Sequence, residues 1–172
     1  GGEQGGLGGE AGRGGGRWGG GSGCRSRGHG GVEGWRCQEC GDAGVLVYED
    51  APDPVAGPGE VVVRVRACGI NHVDIDMRNG SSRIPLDLPV TMGMEFAGEI
   101  AEVGPGVAGW SVGDRVSPVF HIHCKTCAMC ALGEHQHCRN IHMFGIQSPG
   151  GYSEYAAVPA WLPVPLPDGT HL

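Results

Sequence analysis

The sequence predicts a mainly β domain with few short helices, folded as a closed β-barrel or a sandwich. Apolar residues recur in short stretches separated by turns rich in glycine and proline, and the clearest stretch alternates with a period of two. No stretch longer than ten residues shows convincing amphipathic helical periodicity. Short strands at this density favour a barrel or a sandwich over alternating β-α-β units.

The predicted elements follow from position 32 onward. In the strand predicted for residues 61–67, Val61, Val63 and Val65 face one side, and two arginines share the other side with Val62. Residues 73–79 predict one or two helical turns, and a proline-rich stretch from 159 to 167 follows the last strand. The predicted strands cover residues 35–39, 45–49, 61–67, 95–103, 115–119 and 152–158.

Composition divides the 172 residues into two regions. Residues 1–31 hold 17 of the 35 glycines and only two large apolar residues, so we expect a disordered glycine-rich tail. Residues 32–172 are long enough for one domain and carry a net charge of −9, from eight basic and seventeen acidic residues. An acidic body argues against nucleic acid or an anionic membrane as a partner. RNA binding by the tail is disfavoured because the tail has a single aromatic residue.

The ends and the cysteines of the chain indicate its compartment. No segment resembles a secretory signal, and no apolar run approaches the roughly 18 residues of a membrane span. The chain opens without Met, so we expect a fragment or a translated reading frame with a natural start near Val32. Four of the eight cysteines crowd into fifteen residues, a pattern typical of metal binding in a reducing cytoplasm.

These four cysteines predict a structural zinc site. Two-residue spacers let successive thiolates wrap one ion, and the longer spacer brings the fourth from the opposite side. With four protein ligands the zinc keeps no open position for a substrate, so it holds a loop and does no chemistry. A rival ligand set would include His135 or His137. The predicted ligands are Cys124, Cys127, Cys130 and Cys138.

A series of motifs along the chain extends this prediction. The chain resembles the medium-chain dehydrogenase/reductase superfamily, which includes zinc alcohol dehydrogenases and quinone oxidoreductases. That resemblance implies a GroES-like β-barrel as the catalytic domain over residues 32–172, packed in the parent enzyme against a Rossmann domain that begins beyond Leu172. The motifs that carry it are Pro58-Gly59-Glu60-Val61, Ala67-Cys68-Gly69-Ile70-Asn71, Gly93-Met94-Glu95-Phe96-Ala97-Gly98, Val103-Gly104, Gly113-Asp114-Arg115-Val116, the four-cysteine loop and Gly150-Gly151-Tyr152-Ser153-Glu154-Tyr155.

The resemblance also implies where the catalytic pocket lies. Alcohol dehydrogenases of this superfamily place zinc ligands at the positions held here by Asn71 and Met94, whereas quinone- and enoyl-reductase-like branches tend to show these residues. Asn71 is therefore predicted as the catalytic hydrogen-bond donor, and His72 as a contact to the cofactor's pyrophosphate. Asp74 and Glu95 match acidic positions beside the family's metal site, and hydrogen bonding within the barrel is an equal alternative for both.

We therefore predict the N-terminal catalytic domain of a cytoplasmic NAD(P)H-dependent oxidoreductase. Its expected substrates are small carbonyls, enones or quinones, its cofactors structural Zn²⁺ and a nicotinamide bound by the missing Rossmann domain, and its full-length form a homo-oligomer. No G-x-G-x-x-G turn follows a strand, so this chain alone is expected to be inactive. The alternatives are a zinc-dependent alcohol dehydrogenase using Asp74 and Glu95, and a non-enzymatic zinc-binding β-domain.

Overall fold

The computed structural model describes residues 31–172, so the glycine-rich tail expected over 1–31 lies, apart from Gly31, outside the described residues. No helix within this range is both long enough and apolar enough to span a membrane. Strands and short helices follow one another along the described chain: β1 (Val32–Cys37), β2 (Leu46–Ala51), β3 (Glu60–Cys68), α1 (His72–Asn79), β4 (Val90–Thr91), β5 (Phe96–Val103), β6 (Arg115–Pro118), β7 (His121–Ile122), α2 (Ala128–Ala131), β8 (His142–Met143), β9 (Tyr155–Pro159) and β10 (Pro163–Pro165).

A five-stranded antiparallel sheet forms the body of the barrel, in the order β10-β6-β5-β3-β9. β3 is an interior strand, and its run of valines pairs with β5 on one side and with β9 on the other. Its inward valines pack with Phe96 and Phe144, whose rings meet edge to face at 5.4 Å. Buried β-branched and aromatic side chains supply most of the free energy that holds such a sheet together.

Three successive valines of β3, Val61, Val62 and Val63, are buried, although neighbouring residues of a strand point to opposite faces. Val62 was expected to share a face with two arginines, yet it is only 1 % exposed. The register of β3 against β5 shifts between Val62 and Val63, where a bulge breaks the strict alternation. Arg64, further along the strand, is exposed as the alternation predicts.

A second sheet, in the order β2-β1-β4, closes the other side of the fold. β1 runs antiparallel to β2, so that Trp35 faces Tyr48 across the pair with ring centroids 5.3 Å apart. Under this sheet lies a separate apolar cluster that receives Met77 from α1. α1 is thus anchored by its buried face, which fixes the position of Asn71 just before it.

Some elements differ from the sequence-based prediction. The predicted strand boundaries lie within about three residues of the observed ones, as expected for boundary assignments. β10, Pro163–Pro165, lies in the stretch expected only as proline-rich chain, and it is an edge strand paired with β6 alone. Proline is tolerated there because an edge strand needs no hydrogen-bond donor on its free side.

Candidate metal centre and active site

The cysteine-rich segment is a loop held at its base by a short β-ladder. β7 pairs with β8, with His121 opposite Met143, and the chain between them carries all four clustered cysteines. α2 begins directly after Cys127 and contains Cys130. Cys138 follows a single turn of 3-10 helix over 135–137. Two tight helical turns therefore fold the loop back on itself.

The four sulfur atoms converge on one point. All four Sγ atoms lie within 4.8 Å of one another. The Sγ of Cys130 lies 4.0 Å from that of Cys124 and 3.6 Å from that of Cys127, and Cys127 lies 3.9 Å from Cys138. A tetrahedral zinc with Zn–S bonds of about 2.3 Å would set its sulfurs about 3.8 Å apart. The arrangement fits a structural zinc ion.

The electrostatics of the loop favour thiolates at two of these positions. The pKa of the Cys124 thiol is lowered to about 5, first by a hydrogen bond from the Thr126 hydroxyl and then by backbone N–H groups. The pKa of Cys127 is lowered by the backbone N–H groups of Cys130 and Arg139. Burial raises the pKa of Cys130 to about 12, and a bound cation would reverse this by favouring the ionised sulfur.

The histidines near the cluster lie apart from its ligand atoms. Within residues 31–172, the four cysteines are the one group of three or more Cys, His, Asp or Glu residues with converging ligand atoms. His135, one of the rival ligands, is exposed and stacks on His123 with ring centroids 4.0 Å apart. His137 is exposed as well. The geometry therefore favours the all-cysteine set.

The predicted catalytic residue, Asn71, lies immediately before α1. Its side-chain Nδ2 donates a hydrogen bond of 3.1 Å to Oε2 of Glu95, which precedes β5. Its backbone N–H donates to Oδ2 of Asp74 at 2.8 Å. The first turn of α1 and the start of β5 together fix the position and orientation of the amide.

The Asp74 carboxylate connects several chain segments of this region through hydrogen bonds. Its side chain is only 6 % exposed, and it accepts hydrogen bonds from the backbone N–H groups of Asn71, Gly93 and Met94 and from the hydroxyl of Tyr152. Burial raises the pKa of Asp74, and the hydrogen bonds only partly oppose that rise. Three chain segments donate to this one carboxylate. Asp74 therefore holds the segment around Asn71 in a fixed position relative to the loop at Met94.

Tyr152 is a site residue that the sequence analysis named only as part of a motif. It follows Gly150-Gly151, and an added Cβ at Gly93 would lie 2.5 Å from its ring. Burial and the neighbouring Asp74 raise the pKa of its phenol. The sequence signal for Tyr152 is the preceding pair Gly150-Gly151. Glycines at these positions and at Gly93 let the backbone and the Tyr152 ring approach Gly93 closely.

His72, the predicted cofactor contact, is the first residue of α1. Its side chain is 85 % exposed, and its Nε2 lies 3.7 Å from Oδ1 of Asp76 one turn later. The structure therefore places it at the surface beside Asn71. There it is accessible to an anionic group of a cofactor, and its ion-pairing neighbour among the described residues is the partly exposed carboxylate of Asp76.

Among the described residues, those around Asn71 do not bring three metal-ligating atoms together. Met94 is 7 % exposed and packs into the apolar cluster beneath the three-stranded sheet. The carboxylate of Asp74 is already saturated with donors, and that of Glu95 receives the Asn71 amide. A catalytic zinc needs three protein ligands and an open position. Among the described residues, no second group with that geometry is present.

Comparisons with known proteins agree with the fold. The family model "Alcohol dehydrogenase GroES-like domain" matches residues 57–168. The L-threonine 3-dehydrogenase of Rhizobium etli is 39% identical over 125 residues, which are 72% of this chain and 36% of that protein. The L-threonine 3-dehydrogenase of Pyrococcus abyssi is 44% identical over 117 residues, 67% of this chain and 33% of that protein.

Solved structures are similar to this chain in fold as well as in sequence. The crystal structure of AibC matches with a TM-score of 0.77 and 34% identity over 83% of this chain and 40% of its own. A cobalt- and zinc-bound thermostable alcohol dehydrogenase from Pyrobaculum aerophilum matches with a TM-score of 0.72 and 36% identity, over 78% of this chain and 41% of its own. The chain spans about a third of the length of the curated relatives it matches. This chain belongs to the alcohol dehydrogenase GroES-like domain family and, with it, to the medium-chain dehydrogenase/reductase superfamily of oxidoreductases.

Proposed function

We propose that this domain is the substrate-binding part of an NAD(P)H-dependent reductase that works on an enone or a quinone without a catalytic zinc. The observation that carries the proposal is the hydrogen bond from the Asn71 amide to the Glu95 carboxylate. At the position where the resemblance implies a zinc-ligating cysteine, this chain holds a neutral amide whose orientation is fixed by a charged acceptor. Such a hydrogen bond to a charged group is stronger than one between neutral partners.

The chain's own residues would act by positioning. The NH₂ group of Asn71 has two hydrogens, one of which binds Glu95, so the second is available to a substrate oxygen. A donor held at that point stabilises negative charge that develops on the oxygen during reduction. His72, exposed beside it, would contact the cofactor's phosphates. The bound nicotinamide supplies the hydride, and the protein orients donor and acceptor.

The four-cysteine loop would bind one zinc ion in the structural role. Four cysteine sulfur atoms at mutual distances near those of a tetrahedral site support this proposal. We also expect residues 1–172 alone to bind no nicotinamide tightly, because residues 31–172 contain no glycine turn between a strand and a helix of a β-α-β unit.

A second candidate function is zinc-dependent alcohol oxidation, and the comparisons favour it. The relatives are named L-threonine 3-dehydrogenases, and one of the similar structures is a zinc-bound alcohol dehydrogenase. They give no support to enone or quinone chemistry in particular. The donor set around Asn71 favours the zinc-free alternative, so the two candidates differ in a countable quantity, the number of zinc ions per subunit.

Elemental analysis of the full-length protein, combined with activity assays, tests the proposal. We expect one zinc per subunit, reduction of an enone or quinone with NADH or NADPH, and little oxidation of L-threonine or simple alcohols. The double variant Asn71→Cys/Met94→His should raise the zinc content towards two, whereas each single variant should leave it near one. Two tightly bound zinc ions in the unmodified enzyme, with alcohol oxidation lost on removal of one, would establish the second candidate instead.

A further inference from the structure

An open cleft of about 610 Å³ lies beside the four-cysteine loop, away from Asn71. That volume falls within the range of sites for small organic ligands, about 300–1,000 Å³. Its lining combines apolar side chains with polar side chains from the four-cysteine loop and its base. The lining residues are Val119, His121, His123, Lys125, His135, Gln136, Trp161 and Leu162.

Lys125 is the distinctive residue of this cleft. It is the only lysine in the sequence. It is also the one residue other than glycine with a positive φ, 62°, in the part of the chain that the structure describes. This backbone conformation costs a residue with a side chain about 1 kcal/mol or more. The loop therefore holds a cationic side chain at a position that glycine would occupy with less strain.

The ammonium group of Lys125 lines the cleft, and no acidic residue within 31–172 forms an ion pair with it. Its Nζ lies 3.3 Å from the centroid of the Trp161 ring, a cation–π contact. A lysine held over an aromatic face keeps N–H donors free for an anion on its other side.

The other polar side chains of the lining also suit an anionic ligand. The imidazoles of His123 and His135 stack with an angle of 6° between their planes, and neutral imidazole already offers one N–H donor. Among the described residues, the lining contains no carboxylate, although residues 32–172 carry a net charge of −9. Glu134 lies next to the cleft, where its carboxylate accepts a hydrogen bond from the side chain of Gln136.

We propose that this cleft binds a small organic anion through an oxyanion group, a phosphate ester or a carboxylate, with Lys125 as the charged anchor. The apolar side chains of Val119 and Leu162 would contact the ligand's organic part. The site is separate from the zinc ion expected in the loop, which contacts sulfur atoms alone. A purely structural role for Lys125, balancing the negative charge of a zinc–thiolate centre, predicts no such binding.

Calorimetric titration of the zinc-loaded chain with inorganic phosphate, AMP and citrate tests this inference. We expect saturable binding of at least one probe below about 10 mM, the range in which weak specific sites are detected. Tighter binding of AMP than of phosphate identifies a phosphate ester as the ligand class, and preference for citrate identifies a carboxylate. No saturable binding of any probe would overturn the proposal.

Three variants make the test specific. Lys125→Gly removes the charge and relieves the positive φ, so it should keep its zinc and its fold while binding weakens about tenfold or more. Lys125→Arg should bind within about threefold of the unmodified chain, because the charge remains. Arg139→Ala removes a positive charge from the same loop outside the cleft and should leave binding unchanged. Equal affinity of Lys125→Gly and the unmodified chain would refute the assignment.

Discussion

The side-chain amide of Asn71 donates a hydrogen bond of 3.1 Å to the carboxylate of Glu95, and so connects the chain before α1 to the chain before β5. In an alcohol dehydrogenase of this superfamily the corresponding positions lie at a catalytic zinc. Here one of the two is a fixed hydrogen-bond donor. The proposal of reduction without a catalytic zinc, as opposed to zinc-dependent alcohol oxidation, depends on this hydrogen bond. The pair is therefore the first target for mutation.

In the full-length enzyme, Asn71→Ala should lower kcat/KM for an enone or quinone by about 10- to 100-fold, the scale expected for loss of an oriented donor. Steady-state kinetics on purified enzyme checks this. Glu95→Gln keeps an acceptor for the Asn71 amide and should cost less than Asn71→Ala. The matched control, Asn140→Ala, removes an exposed amide in the zinc loop and should leave the kinetics unchanged. An unaltered Asn71→Ala enzyme would contradict a catalytic role.

The four-cysteine loop should bind one zinc per chain, and its removal should loosen the loop. Structural zinc contributes apparent binding free energies of about 10–16 kcal/mol in small peptides, comparable to a domain's whole stability of about 5–15 kcal/mol. Elemental analysis and thermal unfolding measure both effects. Cys127→Ser and Cys138→Ser should lose the metal, whereas Cys40→Ser, an exposed cysteine outside the cluster, should keep it. Full zinc content in both ligand variants would mean that the ligand assignment is wrong.

Replacement of Asp74 should lower the free energy of unfolding of the domain without changing the structure of the four-cysteine loop. Asp74→Ala leaves the buried N–H groups of Gly93 and Met94 without an acceptor, which should cost about 3 kcal/mol of unfolding free energy. Denaturant unfolding measures the change. Asp76→Ala, on the exposed side of the same helix, serves as control and should cost about 0.5 kcal/mol or less. Equal effects of the two variants would show that the hydrogen bonds to Asp74 contribute little.

Tyr152 should hold its phenolic proton to higher pH than free tyrosine, because burial and the neighbouring Asp74 raise its pKa above 10.0. The folded state then binds that proton more tightly than the unfolded state. Its contribution to stability is fully present below pH 10.0 and is lost as the pH rises through the raised value. Ultraviolet titration of tyrosinate absorbance should show a late step that Tyr152→Phe removes. A step of ordinary pKa that disappears in Tyr152→Phe would refute the prediction.

Local pattern predicted the longer strands and the cluster of four cysteines. The alternation around Val61 and Val63 predicted β3, since a period of two follows from the pleat of a strand alone. The Cys-x2-Cys spacing predicted the four converging sulfurs, because two-residue spacers bring neighbouring thiolates within reach of one ion whatever the rest of the fold does. Sequence by itself also determined that Asn71 and Met94 stand where the resemblance implies zinc ligands.

Tertiary structure alone decided which partners these residues have. Asp74 and Tyr152 are 78 positions apart, and only the packing of α1 against the loop after Met92 brings the carboxylate and the phenol together. The burial of Met94 and the cleft around Lys125 depend likewise on segments far apart in the chain. Spacing within a short segment fixes geometry through covalent reach, whereas contacts between distant segments are fixed by burial and hydrogen bonding, which no local pattern encodes.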